Sequence, residues 1–333
     1  MKIFVTGGTG VLGQPVIRLL KERGHEVHAL SRSAANRQVL HTLGAALVSC
    51  DLYNVERLLP HLEGCDAVLH LATRIPKTAE LKSAGAWADN DRLRREATAA
   101  LVDAALEART VKSFLYPSVF FMYADRGDSW QSAGDATLDP PQPLRSTLAA
   151  ERSVARFAAE SDGHRGISLR FGIFYGPTSR DSRDMISMAR RGVTLPLAPP
   201  DAYKSMIWIE DAAAAVVAAL ERAPSGVFDV AEDQPMTQVA ARVALARAAG
   251  RAQVIALPRG LLRIVLPAEM RGLVARSQRV RSTRFRDVTN WSPEVPNQDV
   301  GWARIAAEVP QARRSPRRFG GLRRCFSFGK SAG

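Results

Sequence analysis

The first half of the chain alternates short apolar runs with longer segments in which apolar residues recur at helical spacing. Ile3 to Val5 form one such run, and a segment of helical spacing follows from Val11 to Leu20. Further strand-like segments lie at 26–30, 45–49, 67–71, 113–117 and 227–230, and helix-like segments lie at 90–108, 148–157, 212–220 and 237–249. Uninterrupted apolar runs are typical of strands buried on both faces of a parallel sheet. The pattern therefore predicts an α/β fold built on a parallel sheet.

Three glycines, Gly7, Gly10 and Gly13, follow the first predicted strand at intervals of three residues and lead into the first helix. A strand, a glycine turn and a helix in this order bring backbone N–H groups and a helix N-terminus to one point. Glycine allows the backbone to approach a phosphate closely, and it allows the helix to pack against the strand. The segment therefore predicts a site for the pyrophosphate of a nucleotide.

The segment Thr6-Gly7-Gly8-Thr9-Gly10-Val11-Leu12-Gly13 resembles the T-G-G-x-G-x-x-G motif of the extended short-chain dehydrogenase/reductase family, which includes the NAD(P)-dependent epimerases and dehydratases. Two later segments are similar to parts of that family: Arg170-x-x-x-x-Tyr175-Gly176-Pro177, and residues 203–211 before an alanine-rich helix. The resemblance covers about residues 1–308. It implies a Rossmann-type, doubly wound domain at 1–175 and a smaller substrate-binding lobe at 176–308. Some segments of the lobe, such as 205–230, are expected to pack back on the first domain.

The second predicted strand ends in Ser31-Arg32-Ser33, with no acidic residue. A site that selects NAD carries an acidic residue here for the ribose 2′-hydroxyl, whereas a 2′-phosphate requires a cation. Arginine can hold a phosphate through two parallel hydrogen bonds. We therefore expect NADP(H) to be preferred over NAD(H). An exposed surface arginine is the alternative interpretation of Arg32.

The resemblance also implies which other residues surround the cofactor. Asp51 and Leu52 would meet the adenine, although Asp51 is equally suited to cap the helix that follows it. Residues 71–73 would pass beneath the cofactor, and Phe171 would lie at its nicotinamide end. The expected cofactor-binding set is Gly7, Thr9, Gly10, Val11, Leu12, Gly13, Arg32, Asp51, Leu52, Leu71, Ala72, Thr73 and Phe171.

Ordinary members of the family carry a Tyr-x-x-x-Lys dyad, whose lysine lies four residues before a glutamate. Glu151 takes the glutamate position here, which puts Pro143 and Thr147 in the places of the tyrosine and the lysine. Ser118 ends the fifth strand, where the family has a hydroxyl that binds the reacting carbonyl. Ser118 and Tyr123 are therefore the catalytic candidates. Packing in the interior is the alternative interpretation of Tyr123.

Loss of the dyad does not affect the two directions of reaction equally. Alcohol oxidation needs a base, whose help is typically worth about 10²–10⁴-fold, whereas ketone reduction needs only stabilisation and protonation of the developing alkoxide. We therefore expect an NAD(P)H-dependent ketoreductase that acts by direct hydride transfer on a small or polycyclic ketone. The alternatives are a non-catalytic NADP-binding sensor or partner-binding protein, and a nucleotide-sugar epimerase or dehydratase with substitute residues. Tyr175, Tyr203 and Trp130 are candidate substrate residues.

The 333 residues carry a net charge of +13, and a basic tail at 309–333 supplies much of the excess. The Gly, Ser and Pro content of this tail predicts a disordered segment rather than a nucleic-acid site. Cys50, Cys65 and Cys325 are widely spaced, which suits a reducing cytoplasm and no metal site. No apolar run reaches transmembrane length, and the N-terminus does not resemble a signal peptide. We expect a cytoplasmic protein with a small-molecule substrate, no specific nucleic acid and no membrane, and a homodimer is left open.

Overall fold

The computed structural model describes residues 1–31, 33–76, 83, 85–195, 198–258, 260 and 266–310. Arg32 and the basic tail from residue 311 onward lie outside the described residues. The strands are β1 (Lys2–Thr6), β2 (Glu26–Leu30), β3 (Ala46–Val48), β4 (Ala67–His70), β5 (Ser113–Val119), β6 (Trp130–Gln131), β7 (Arg165–Phe171), β8 (Ile173–Tyr175), β9 (Val193–Thr194), β10 (Tyr203–Lys204), β11 (Met206–Trp208), β12 (Gly226–Val230), β13 (Met236–Thr237), β14 (Ile255–Ala256) and β15 (Arg279–Val280). The helices are α1 (Gly13–Glu22), α2 (Ala34–Thr42), α3 (Val55–Leu62), α4 (Ala88–Arg92), α5 (Thr98–Ala108), α6 (Arg145–Ala159), α7 (Arg180–Arg190), α8 (Ile209–Arg222), α9 (Gln238–Ala248), α10 (Ala268–Ala275), α11 (Thr283–Thr289) and α12 (Gln298–Glu308).

Seven of the strands form one parallel sheet in the order β3-β2-β1-β4-β5-β7-β12. The chain runs outward from β1 to β3 and then returns to β4, on the other side of β1. The carboxyl ends of β1 and β4 therefore flank the point at which the strand order reverses, which is where open α/β sheets bind their ligands. This sheet confirms the predicted doubly wound, Rossmann-type fold.

The central strand β1 buries side chains on both faces of the sheet. Ile3 and Val5 pack in one hydrophobic core with α1 and α8, whereas Phe4 packs in the other core with α3 and α5. All three side chains are fully buried. Because successive side chains of a strand point to opposite faces, a strand covered on both sides needs an apolar residue at every position. This explains the uninterrupted apolar run at the start of the chain.

The smaller lobe has a core of its own, built from β8, β11, α7, α9 and α12. Tyr175 packs against Trp208 and Trp302, with ring centroids 5.5 and 5.9 Å apart. Ile186 and Leu245 belong to the same core. Two later elements nevertheless join the first domain, because β12 pairs with β7 and α8 packs against α1. The lobe is thus attached to the sheet edge formed by β7 and β12.

Candidate active site

The glycine turn after β1 has the close packing that a nucleotide site requires. Gly7 has a φ of +73°, and a Cβ there would lie 2.5 Å from the backbone nitrogen of Ala72. A Cβ on Gly13 would overlap the carbonyl oxygen of Gly7. Positive φ and backbone contacts of this kind are tolerated only by glycine. The turn therefore holds the N-terminus of α1 directly against the ends of β1 and β4.

A cavity of about 240 Å³ opens at this turn, where the strand order reverses. Seven of the predicted cofactor residues line it: Gly7, Thr9, Gly10, Leu52, Leu71, Ala72 and Thr73. The sequence analysis missed four further lining residues, Thr6, Leu30, Asn36 and Leu93. Asn36 lies in the first turn of α2, where its backbone N–H donates to Ser33 Oγ at 3.2 Å. The donors, the small residues and the apolar wall fit a dinucleotide.

The other predicted cofactor residues that the structure describes do not line this cavity. Val11 is exposed and Leu12 is buried just before α1. Asp51 is exposed, and its Oδ1 accepts the backbone N–H of Tyr53 at 3.0 Å. Asp51 does not cap α3 as its alternative interpretation proposed, because Asn54 occupies that position and accepts from Arg57 N. Phe171 is buried in the core.

A buried ion pair joins Arg170, near the end of β7, to Glu151 in the middle of α6, and Ser118 near the end of β5 contacts it. Arg170 donates to both oxygens of Glu151, at 2.9 Å from Nε and 2.7 Å from Nη2. Ser118 Oγ donates to Glu151 Oε1 at 2.5 Å. The Arg170 and Glu151 side chains are only 5% and 7% exposed. The single hydroxyl proton of Ser118 is therefore engaged, so Ser118 can donate to a substrate only after it releases Glu151.

Tyr123 belongs to the same network. Its hydroxyl donates to Asp229 Oδ1 at 2.6 Å and accepts from Arg170 Nη1 at 3.2 Å. Burial, followed by the Asp229 carboxyl, raises the pKa of Tyr123 above its ordinary value. Burial also raises the pKa of Asp229 to about 7. A fully buried phenol of raised pKa that already donates to a carboxyl is poorly placed to protonate a substrate.

The positions that the resemblance assigns to the dyad have other neighbours. Pro143 belongs to a short 3₁₀ segment before α6. Thr147 is fully buried, and its Oγ1 accepts from Arg94 Nη1 at 2.6 Å. Arg94 lies on a π-helical turn, Leu93–Ala97, between α4 and α5, where the sequence predicted one continuous helix. The Arg94 guanidinium thus brings a positive charge to Thr147, the position at which the resemblance expects the lysine.

A second cavity, of about 350 Å³, lies in the smaller lobe. Its wall is largely apolar and includes Ile173, Met185, Leu195, Met206, Leu245 and Trp302. Ile173 follows β7 after one residue, so part of this cavity lies beyond the carboxyl end of β7. The cofactor cavity lies beyond the carboxyl ends of β1 and β4, and no described residue lines both cavities. Lys204 and Arg242 are its cationic lining residues. The lobe cavity is therefore the candidate substrate site.

The three aromatic residues predicted to bind substrate do not line the lobe cavity. Tyr175 is buried in the lobe core, and its hydroxyl donates to Glu232 Oε2 at 3.1 Å. Trp130 and Tyr203 both pack against the Arg279 guanidinium, at 4.1 and 4.5 Å from their ring centroids. Their aromatic surface is thus used by neighbouring side chains of the same chain.

Within the described ranges, no helix combines the length and the apolar character needed to cross a bilayer. In the same part of the chain, no group of three or more His, Cys, Asp or Glu side chains could hold a metal ion. The fold and the cavity after β1 are those of a nucleotide-binding α/β protein.

Comparison with known proteins gives the family. Residues 3–231 match the sequence model described as the NAD dependent epimerase/dehydratase family. The chain is 30% identical over 311 residues to a Streptomyces 3-diazoavenalumate denitrifying reductase. This match covers 91% of this chain and 100% of the relative. It is 29% identical over 182 residues to the 2-alkyl-3-oxoalkanoate reductase of Stenotrophomonas maltophilia, which covers 53% and 52% of the two chains. A human epimerase family protein solved with NADPH has the same fold, with a TM-score of 0.75 at 22% identity over 92% of this chain and 99% of that one.

The chain therefore belongs to the NAD dependent epimerase/dehydratase family. It is an NAD(P)-dependent oxidoreductase, and the cavity after β1 is the candidate site for its nicotinamide cofactor.

Proposed function

We propose that the protein is an NADPH-dependent reductase that acts on the carbonyl group of an apolar ketone. The cofactor cavity lies beyond the carboxyl ends of β1 and β4, and the lobe cavity lies beyond the carboxyl end of β7. These ends lie on one side of a parallel sheet, and this arrangement supports the proposal most directly. When bound, the reduced nicotinamide supplies a hydride, and the ketone gains this hydride and one proton to become an alcohol. The apolar wall of the lobe cavity suits a substrate with a hydrocarbon body.

The preference for NADPH is supported by Ser31-Arg32-Ser33, which offers a cation and no acid after β2. The solved epimerase family protein with NADPH shows that this fold can hold that form of the cofactor. A cytoplasmic location and a homodimer stay predictions from the sequence.

Binding and orientation are proposed to supply most of the rate. Holding the reacting atoms about 3–3.5 Å apart can lower a barrier by roughly 7–11 kcal/mol. Ser118 is the proposed hydrogen-bond donor to the developing alkoxide, and it acts by exchanging Glu151 for the substrate oxygen. We do not assign the proton to Tyr123, because its hydroxyl is buried and already donates to Asp229.

A diazo group on an aromatic ring is a second candidate acceptor. The Streptomyces relative, which matches 91% of this chain, is named for a diazo substrate, and its name describes a denitrifying reductase. A hydride added to the terminal nitrogen of an arenediazonium gives an aryldiazene, Ar–N=N–H. The aryldiazene then loses N₂ as its hydrogen passes to the ring carbon, so the arene leaves as Ar–H. This reaction takes no proton from the protein. It therefore does not need the tyrosine and lysine that the resemblance expects at the Pro143 and Thr147 positions.

The test uses NADPH deuterated on one face of C4, with apolar ketones, arenediazonium salts and nucleotide sugars as separate substrates. Deuterium on the carbinol carbon, delivered from one face only, is the expected result with ketones. Release of N₂ with deuterium on the arene, above the rate without protein, would assign the diazo reaction instead. Inversion of a sugar centre with no net loss of NADPH would show an epimerase. Tight NADPH binding without any turnover would favour a sensor.

A further inference from the structure

The hydrogen bond between Ser118 and Glu151 bears on the source of the proton in the proposed reduction. Ser118 is the penultimate residue of β5, which pairs with β4 on one side and with β7 on the other. The cofactor cavity lies beyond the carboxyl end of β4, and part of the lobe cavity lies beyond that of β7. Ser118 therefore lies on the strand between the two cavities.

A serine hydroxyl holds one proton, so a serine that gives this proton to a substrate must regain it from an acid. Within the described part of the chain, Glu151 is the only acidic side chain that hydrogen-bonds Ser118, at 2.5 Å. Ser118 is 1% exposed, so bulk water has little access to its hydroxyl. Tyr123 is not a second source, because its hydroxyl donates to Asp229. The carboxyl group of Glu151 is thus the nearest source of a replacement proton.

Arg170 makes Glu151 a suitable acid. The guanidinium donates to both carboxylate oxygens, at 2.9 and 2.7 Å, and Arg170 lies opposite Ser118 in the register of β5 and β7. A positive charge at this distance stabilises the carboxylate relative to the carboxylic acid. A protonated Glu151 would therefore release its proton readily, and the ion pair would form as the proton leaves. An interaction that becomes stronger during the reaction lowers the barrier.

We propose that Glu151 supplies the proton of the reduction through Ser118. The inference rests on the proposed function for its reaction, but its binding step can be measured without turnover. As a hydride bonds to the carbonyl carbon, the π electrons of the C=O bond pass to oxygen, and this oxygen takes the proton of Ser118. Ser118 Oγ then takes the carboxyl proton of Glu151, which is left as a carboxylate beside Arg170. Glu151 regains a proton from solvent before the next reduction and does not itself touch the substrate.

The scheme predicts that a ketone and an alcohol bind with different proton requirements. When Ser118 donates to the Glu151 carboxylate, its oxygen can still accept a hydrogen bond from an alcohol. A ketone oxygen only accepts, so Ser118 must turn its proton to the ketone. Glu151 must then carry a proton of its own in order to donate to Ser118 Oγ. Ketone binding should therefore take up about one proton from neutral solution, whereas alcohol binding should take up none.

Other titratable or charged groups lie near this network: Arg170, Tyr123, Asp229, Tyr116 and Arg94. Burial raises the pKa of Tyr116 to about 12, so this phenol stays neutral. Burial raises the pKa of Asp229 to about 7, so Asp229 is a competing site of proton uptake. Asp229 connects to the Glu151 side of the network through Tyr123 and Arg170, and an arginine keeps its protons. Variants therefore distinguish the two carboxyl groups.

Calorimetry on the full chain tests the binding step with camphor, menthone and acetophenone in the presence of NADP⁺. The corresponding alcohols are titrated in the presence of NADPH, and neither combination can react. Each titration is carried out at neutral pH in two buffers of different ionisation enthalpy, which gives the number of protons taken up. Uptake on ketone binding should be lost in Glu151→Gln and in Ser118→Ala. It should persist in Glu160→Gln, the matched control, because Glu160 follows the same helix and is exposed.

Reduction of the same ketones by NADPH tests the transfer step. Glu151→Gln should lower kcat about 10²–10⁴-fold, the usual contribution of a general acid, with little change in KM. The double variant Ser118→Ala, Glu151→Gln should be no slower than the slower single variant, because residues that act as a unit lose their effect together.

Three results would overturn the inference: ketone binding without proton uptake in the wild type, uptake that persists in Glu151→Gln and so belongs to Asp229, or a wild-type kcat in Glu151→Gln. If Glu151→Gln does not fold, Ser118→Ala decides, because it breaks the link and leaves the ion pair in place. Failure of the proposed function would look different, since a ketone would bind with a proton taken up by Glu151 but no NADPH would be oxidised. No binding of any of the three ketones by protein that binds NADP⁺ would overturn both.

Discussion

Removal of the Arg170 guanidinium should destabilise the protein more than the loss of any surface arginine. In Arg170→Met, Glu151 keeps only its hydrogen bond from Ser118, and Tyr123 loses a donor. Both members of the ion pair are more than nine-tenths buried. Taking one partner from such a pair leaves an uncompensated buried charge, which typically costs about 3–5 kcal/mol. We expect Arg170→Met to lower the free energy of unfolding by this amount.

The chain contains a matched control on α6, the helix that carries Glu151. Arg156 of α6 binds Asp103 of α5 at 2.6 Å, but the two side chains are 48% and 45% exposed. Solvent screens an exposed pair, so Arg156→Met should cost only about 0–1 kcal/mol. Both variants replace arginine by methionine, and they differ mainly in the burial of the carboxylate that remains. The difference between them therefore measures the effect of burial.

Equilibrium unfolding in urea, followed by tryptophan fluorescence without cofactor, gives the two free energies at one pH. Glu151→Met combined with Arg170→Met should be more stable than Arg170→Met alone, since apolar replacement of a whole buried pair is often neutral. Equal losses in Arg170→Met and Arg156→Met would refute the reasoning. A double variant less stable than Arg170→Met would show that the carboxylate is not the source of the loss.

Three further predictions concern the cofactor, the pH dependence and the chemistry. Arg32→Ala should weaken NADPH binding by about 1.5–3 kcal/mol and leave NADH binding nearly unchanged; equal calorimetric affinities of the wild type for the two cofactors would contradict this. Burial raises the pKa of Glu232 to about 8 from 4.5, so its contribution to stability is present below about pH 4.5 and is lost as the pH rises through 8. The free energy of unfolding should therefore fall less between pH 6.5 and 8.5 in Glu232→Gln than in the wild type, and equal slopes would contradict the assignment. Ser118→Ala should slow ketone reduction about 10- to 1000-fold with NADPH binding retained, whereas Tyr123→Phe should slow it less. A larger loss of reduction rate in Tyr123→Phe would show that Tyr123 is the proton donor.

The cofactor half of the molecule could be predicted from the sequence because its signals are local. β2 has the predicted bounds, Glu26–Leu30, and β4 differs from its prediction by one residue. The glycine turn is equally local, since the conformation of Gly7 and the spacing to Gly13 are set by a few neighbouring residues. Local patterns of this kind persist in the fold because the sheet is buried on both faces.

The buried polar network could not be predicted in the same way. Tyr123 and Asp229 are 106 residues apart, and Glu151 and Arg170 are 19 apart with a strand boundary between them. One signal was nevertheless present: Asp229 lies inside the otherwise apolar strand β12. A carboxyl group in a strand buried on both sides needs a partner, so this position alone indicates a polar contact in the interior.

The lining of the lobe cavity was not predicted from the sequence, because the sequence analysis chose aromatic residues as its substrate candidates. Tyr175 could have bound a ring, but the same property makes it a core residue, and it packs against Trp208 and Trp302. The lobe cavity is lined mainly by aliphatic side chains, with Trp302, a few neutral polar residues and the cations Lys204 and Arg242, all from separate elements between residues 173 and 302. In the sequence, Lys204 resembles any surface lysine, and only the fold shows that its charge is enclosed. Contacts between segments this far apart in the chain leave no local pattern, so the lining of the lobe cavity can be read only from the assembled structure.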